Sequence, residues 1–184
     1  AEQKASFTLT REHHAFPSRH IGDLKNLETL NDFEEQTAHF ENIFDTKPGI
    51  LACDMHPDYM SSTYAADRAE KEKIPLVRVQ HHHAHMCSCM ADNGFDGECI
   101  GIIWDGTGYG ADGKIWGAEF LAGSFSHFRR LGSICPIKLP GGDRATKEIS
   151  RIAASLLLDA GLPCDNDVAQ RIIRSGINCP EATS

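Results

Sequence analysis

Apolar residues in the first half of the chain recur at two different periods. Leu27, Leu30, Phe33, Phe40, Ile43 and Phe44 return at helical spacing, with Glu28, Glu34, Glu35 and Glu41 on the other face. That predicts an amphipathic helix ending near Lys47-Pro48-Gly49. Ile50–Cys53 and Pro75–Val79 are short apolar runs of the kind that form buried strands, and Tyr59–Lys73 between them is rich in Ala, Glu, Arg and Lys, which predicts a helix. Ahead of these, Ser6–Thr10 predicts an opening strand and Glu12-His13-His14 a turn or loop before Ala15-Phe16. Strand, helix, strand with apolar strands implies a sheet covered by helices in the first half of the chain.

After Gly94 the pattern changes. Ile100–Trp104, Ile115–Ala122 and Phe128–Ile134 are consecutive strand candidates, the first two joined across Ala111-Asp112-Gly113-Lys114, whose Asp-Gly is a strong hairpin signal. An antiparallel meander is expected. Gly141-Gly142-Asp143 opens a helix over the Ala/Leu-rich run 145–160, with Asp143 as N-cap and Gly161 just past the end. Residues 166–175 add a short helix, and 178–184 read as loop. The fold class is therefore α/β, a mixed sheet with helices, in two parts: residues 1–97 and residues 98–184.

Composition narrows the function. The chain has 184 residues, 41% of them hydrophobic, and a formal charge of −8 with Lys and Arg scattered, which argues against nucleic acid as a partner. No apolar run approaches the roughly 20 residues that span a bilayer, and the start lacks a signal peptide's charged and apolar regions, so a soluble cytoplasmic protein without a membrane partner is expected. Seven cysteines are an odd number and form no Cys-x-x-Cys pair, which favours reduced structural thiols. Cys87 and Cys89, two apart on a helix, face different ways and make a poor chelate.

The chemistry concentrates in Gln80-His-His-His-Ala-His85 and Trp104-Asp-Gly-Thr-Gly-Tyr-Gly110. If 81–90 is helical, His81 and His85 stand one above the other and can grip one metal ion, while His82 and His83 point elsewhere. The alternative is a helix start with merely polar imidazoles. Asp105, at the end of an apolar run, completes a two-His, one-carboxylate set suited to iron or zinc with open positions. Gly106-Thr-Gly-Tyr-Gly-Ala111 formally fits the G-x-G-x-x-A spacing of a dinucleotide loop, but a turn and strand follow where a helix should begin. What remains is a hairpin whose amides cradle an anion or simply make a tight turn. Gly141, Gly142 and Asp143 are a second anion candidate, although Asp143 would repel an anion and serves equally as a plain cap. Lys138, Arg144, Lys147, Glu148 and Arg151 around them read as a solvated face or as substrate contacts.

Taken in order, His20-Ile-Gly-Asp-Leu24 with Asn26-Leu-Glu-Thr29, Ala52-Cys-Asp-Met-His-Pro-Asp-Tyr59, Gln80–His85, Asp105–Gly110 with Trp116-Gly-Ala-Glu-Phe120, and Leu139-Pro-Gly-Gly-Asp143 resemble the carbamoyltransferase domain of HypF-type hydrogenase maturation proteins. The resemblance implies two ribonuclease-H-like lobes of the actin-like ATPase (ASKHA) superfamily around a metal and nucleotide cleft, the second lobe truncated. It implies transfer of a carbamoyl group from carbamoyl adenylate, made with ATP, to the C-terminal cysteine of a HypE-like protein, on the way to the cyanide ligand of [NiFe]-hydrogenase. His81, His85 and Asp105 become candidate ligands of a divalent iron or zinc, Asp105 also the candidate catalytic carboxylate, and Gly106, Gly108, Gly110, Gly141, Gly142 and Asp143 the nucleotide contacts. Upstream and downstream domains of a longer protein are expected as further partners. Apolar surface should be exposed where the rest of the second lobe packs. A second reading has the chain as a metal- or partner-binding remnant without turnover.

Overall fold

Asn26 starts the first helix because its side-chain oxygen accepts the N–H of Glu28 at 2.9 Å, satisfying an amide that the first helical turn leaves without a partner. That helix, α1, runs Leu27–Ile43. The structure is a computed structural model that describes residues 2–162. Within it the chain forms two compact units that divide between Gln80 and His81. The short helix expected over 166–175 and the loop over 178–184 lie outside the described residues.

In the first unit β1 (Thr8–Arg11) and β2 (His14–Pro17) form an antiparallel hairpin, so the stretch expected as a loop at His14 is already strand. Strand β3 (Leu51–Asp54), helix α2 (Met60–Glu72) and strand β4 (Leu76–Val79) follow, with β3 and β4 parallel and α2 as their crossover. The core gathers Ala5, Leu24 and Phe33, against which Phe7, Met60 and Tyr64 pack. Phe33 meets Phe7 edge-on at 5.7 Å and Tyr64 at 5.5 Å. The apolar stripe of α1 is shorter than its pattern predicts, since Leu27 and Ile43 at its two ends are exposed. Glu41 is not on a solvent face. Its carboxylate sits 2.6 Å from Arg68 of α2, which also binds Glu72 at 2.8 Å. Burial alone would lower the Arg68 pKa, but the two carboxylates outweigh it and raise it further.

The second unit begins with α3 (His81–Asp92), followed by β5 (Cys99–Ile103), β6 (Gly108–Tyr109), β7 (Ile115–Trp116), β8 (Glu119–Gly123) and β9 (Phe128–Ser133). The meander is antiparallel in the order β5-β8-β9, with Ile103 opposite Glu119 and Ile100 opposite Ala122. The strand expected over Ile115–Ala122 is two strands. Its first part pairs with β6 and its second with β5, so the Asp112-Gly113 turn joins β6 to β7 as a small separate hairpin. The chain changes partner at Gly117, where an added β-carbon would lie 3.6 Å from the Gly106 carbonyl. Met86 and Met90 of α3 pack on Ile103, Trp116 and Leu121, covering one face of the sheet. On the opposite face of β5 and just past its end, Ile100, Ile102 and Trp104 are 68%, 64% and 74% exposed.

The helix expected over 145–160 is also divided, into α4 (Asp143–Lys147) and α5 (Ile149–Asp159). Glu148 between them is non-helical (φ −105°, ψ 82°), and its carboxylate binds Arg151 on one side and Arg144 on the other. Those guanidiniums, Arg151 foremost, hold the Glu148 carboxyl below its usual range. Asp143 is the first helical residue, and Gly142 takes the capping position assigned to it from sequence. Gly161 follows the C-cap Ala160 with φ +65°, a left-handed conformation that glycine adopts without strain.

Two stability predictions follow from this packing. Glu119 is buried and receives Arg130 Nε at 2.6 Å and Nη2 at 2.8 Å, and that bidentate contact raises the Arg130 pKa. Arg130→Met should therefore cost about 3–5 kcal/mol in urea denaturation, because it strands a buried carboxylate, whereas Arg130→Met combined with Glu119→Leu should cost less than the single change. In the hairpin, a β-carbon on Gly110 would fall 2.2 Å from Trp116 Nε1, while one on Gly106 would meet nothing within 4 Å. Gly110→Ala should destabilise by about 1–3 kcal/mol and Gly106→Ala by less than about 0.5 kcal/mol, measured by the same denaturation.

Candidate functional site

One turn of α3 separates His81 from His85, and their rings stand 4.8 Å apart, nearly perpendicular. Asp105 is two residues past the end of β5, so the sheet delivers its carboxylate toward the helix. Asp105 Oδ2 lies 2.9 Å from His81 Nε2 and 3.8 Å from His85 Nε2, and the two imidazole nitrogens are 3.2 Å apart. Among the described residues this is the group of three His, Cys, Asp or Glu side chains whose ligand atoms gather within 4.8 Å. His81 and Asp105 are partly buried and His85 is 56% exposed, so one side of the group opens to solvent.

The donor set can be tested against a metal ion by its spacing. Two ligand atoms about 2.1 Å from one ion stand about 3.4 Å apart at a tetrahedral angle and about 3.0 Å apart at a right angle. The three observed separations, 2.9, 3.2 and 3.8 Å, bracket those values. The carboxylate is divided in role. Oδ1 accepts the Gly106 N–H at 2.7 Å, which fixes its orientation, whereas Oδ2 is buried with no donor aligned on it. A buried carboxylate oxygen beside two imidazole nitrogens, itself without an aligned N–H, is an arrangement that a shared cation satisfies. The residues present therefore fit a divalent ion.

The glycine hairpin closes against the same helix. An added β-carbon on Gly108 would lie 2.5 Å from His82 Cε1 and 2.8 Å from His81 Cδ2, so only glycine allows β6 to approach α3 this closely. The loop amides are not all available to a ligand: Gly106 N–H binds Asp105 and Gly110 N–H binds the Lys114 carbonyl at 2.7 Å. Gly141 and Gly142 precede α4, which has five residues, so the long helix that would have focused its dipole on them is absent at that point. An open cleft of about 520 Å³ begins at His85 and Asp105 and runs along β5 past Met86, Met90, Phe95 and Ile102.

Sequence reasoning left His82 and His83 without a place. Both are buried on α3, His82 completely. His83 Nε2 meets the Ser124 carbonyl at 2.8 Å, and burial pushes the His82 pKa down, partly offset by a hydrogen bond to the Gly117 backbone. The signal was present as the spacing His82, Met86, Met90, a stripe at intervals of four that marks the buried face. Cys87 also faces inward, and burial raises its thiol pKa, whereas Cys89 is exposed.

Comparison with known proteins covers nearly the whole chain. Residues 1–92 match the family described as HypF Kae1-like domain, and residues 101–184 match the carbamoyltransferase Kae1-like domain, second subdomain. The chain is 42% identical over 154 residues to carbamoyltransferase HypF2 of Cupriavidus necator, covering 84% of this chain and 19% of that protein. It is 35% identical to carbamoyltransferase HypF of Rhodobacter capsulatus over 100% of this chain and 26% of that one. Among solved structures, full-length HypF in a phosphate- and nucleotide-bound form matches with a TM-score of 0.84 at 37% identity, covering 99% of this chain and 25% of that one. HypF of T. kodakarensis matches with a TM-score of 0.88 at 31% identity over 100% and 27%. The chain thus spans about a fifth to a quarter of the length of the relatives it matches. Matched over both subdomains and in fold, it belongs to the HypF carbamoyltransferase family, as part of that family's Kae1-like domain.

Proposed function

We propose that the chain is part of a carbamoyltransferase that moves a carbamoyl group from carbamoyl adenylate to the C-terminal cysteine of a HypE-like protein, a step toward the cyanide ligand of [NiFe]-hydrogenase. The observation that carries the reading is Asp105 Oδ2, buried beside His81 and His85 without an aligned donor. In this reading residues 1–97 and 98–184 belong to two ribonuclease-H-like lobes of the ASKHA superfamily, and the boundary is supported by the gap between the two family matches at residues 92 and 101.

His81, His85 and Asp105 would hold a divalent iron or zinc, which when bound supplies positive charge to polarise a carbonyl or phosphoryl oxygen. Asp105 has a second task through Oδ1, which ties the start of the glycine loop to the same carboxylate. Gly106, Gly108, Gly110, Gly141, Gly142 and Asp143 would form the nucleotide contacts, the hairpin glycines chiefly by letting backbone come close. In the transfer itself the acceptor sulfur forms a bond to the carbamoyl carbon, the carbon–oxygen bond to the phosphate breaks, AMP leaves with the electron pair, and the thiol proton passes to solvent or base. The exposed side of His85 and the cleft along β5 leave room for a peptide end to reach the site.

Titrated with zinc or ferrous iron, the chain should take up about one ion per molecule, more weakly as pH falls, because protons compete for the imidazole nitrogens. Equilibrium dialysis of the chain and of a His81→Ala, His85→Ala variant checks this, and equal uptake by the two would remove the metal reading. Joined to the remaining length of a HypF relative, the chain should support carbamoylation of a HypE-like C-terminal cysteine, measured as a mass increase on the acceptor. Asp105→Ala should abolish that transfer, since one change removes a ligand and the loop's anchor, and Cys87→Ser should leave it intact. Transfer at the wild-type rate by the Asp105 variant would put the site elsewhere, and metal uptake without any transfer would favour a binding module.

A further inference from the structure

Beside the His81 imidazole on α3 lies a third imidazole, 0% exposed. The His82 ring stands 5.6 Å from that of His81, nearly perpendicular to it, and 6.0 Å from Trp116, and it hydrogen-bonds to the Gly117 backbone. Its Cε1 would be 2.5 Å from a β-carbon on Gly108. It therefore touches every piece that must be held in register: the ring of one candidate ligand, the glycine strand β6, and the point where β7 hands over to β8. Behind it the support is stiff. Trp116 Nε1 binds Asp112 Oδ1 at 2.9 Å, and the Arg130 guanidinium lies over the indole at 4.3 Å while gripping the buried Glu119.

We infer that His82 is a positioning residue, one that sets how closely the glycine hairpin, with Asp105 at its base, approaches the His81 and His85 imidazoles. The inference rests on the metal reading of those three residues and adds to it a residue that touches no ligand atom. Partners in this outer layer commonly change metal affinity by about 10- to 100-fold when removed, because they fix the orientation of the ligands rather than bind the ion. A purely structural histidine would show up differently. Its loss would lower stability like the loss of any buried side chain and leave the geometry of a bound ion alone.

Cobalt(II) is the probe, since its visible absorption reports the number and arrangement of its ligands. The full chain, His82→Ala, Met90→Ala and His81→Ala are titrated with cobalt, and the metal-free forms are melted. Met90 lies two turns further along the same buried stripe and supplies the comparison for lost packing. His82→Ala should bind cobalt at least about tenfold more weakly, with altered band intensities, while Met90→Ala loses melting temperature but keeps wild-type affinity and spectrum. Gly108→Ala approaches the contact from the other side and should weaken cobalt in the same direction, which keeps the test decisive if His82→Ala fails to fold. Wild-type affinity and spectrum in both His82→Ala and Gly108→Ala, or an equal loss in Met90→Ala, would overturn the positioning role while leaving the metal site standing. Equal cobalt uptake by wild type and His81→Ala would instead sink the metal reading, and this inference with it.

Discussion

Everything in the second unit depends on how closely a helix and a hairpin can approach each other. At Gly108 there is no room for one carbon atom between β6 and the imidazoles of α3. A side chain there would push the hairpin outward, and with it Asp105, whose Oδ1 is tied to the first amide of the same loop. Gly110 repeats the condition against Trp116. The two glycines are therefore not flexible points. They are places where the absence of a side chain lets rigid elements touch, which is the same requirement that a backbone close to a phosphate would impose. Close approach is what brings the Asp105 carboxylate within 2.9 Å of the His81 imidazole.

Most of the elements were legible because their periods are strong. The apolar runs placed β3, β4 and β5 within a residue of where they lie, and the rhythm of α1 placed its body, although the helix stops at Ile43 and not near Lys47. The Asp112-Gly113 turn makes a hairpin, but between β6 and β7 and not between the two long runs expected on either side. The errors share a cause. Periodicity records which way a side chain points and not which strand lies beside it, so the continuous run Ile115–Ala122 gave no sign that its two ends pair with different partners. Nor does composition report a break such as Glu148, whose neighbours are good helix formers and whose conformation accompanies two guanidinium contacts made across the break. The same blindness put Glu41 on a solvent face, where it in fact meets a guanidinium on another helix.

The site divides along a similar line. His-x-x-x-His on a helix puts the two rings on one face a turn apart wherever it occurs, so the proximity of His81 and His85 is a local fact, readable from five residues. That Asp105 meets them is a non-local fact, set by where the end of β5 and the glycine hairpin lie against α3, which the sequence lists without connecting. His82 and His83 were opaque because imidazole is ambivalent: it is at home in water or, with a partner for its N–H, in a core. Their burial follows from the stripe they share with the methionines. It could not follow from residue type.

A single helix thereby performs two tasks that conflict in chemistry and are separated by geometry. Successive residues on α3 are turned about 100° apart. His81 and His85 present their Nε2 atoms to Asp105, while His82 and Met86, each one position further on, and Met90, a turn beyond Met86, pack the helix against the hairpin and the sheet. Rotating α3 by one residue would bury His81 and His85 among apolar side chains and expose the methionines, and His82 is the member of the stripe that lies against the hairpin with Asp105 at its base. The polar network of Glu119, Arg130, Trp116 and Asp112 stiffens the surface against which that stripe packs. Removed from water, such a network is a weak source of stability and a strong source of specificity only when every member is paired. Here Arg130 supplies both donors that the buried Glu119 needs, and what the network defines is the place of the indole against which His82 rests.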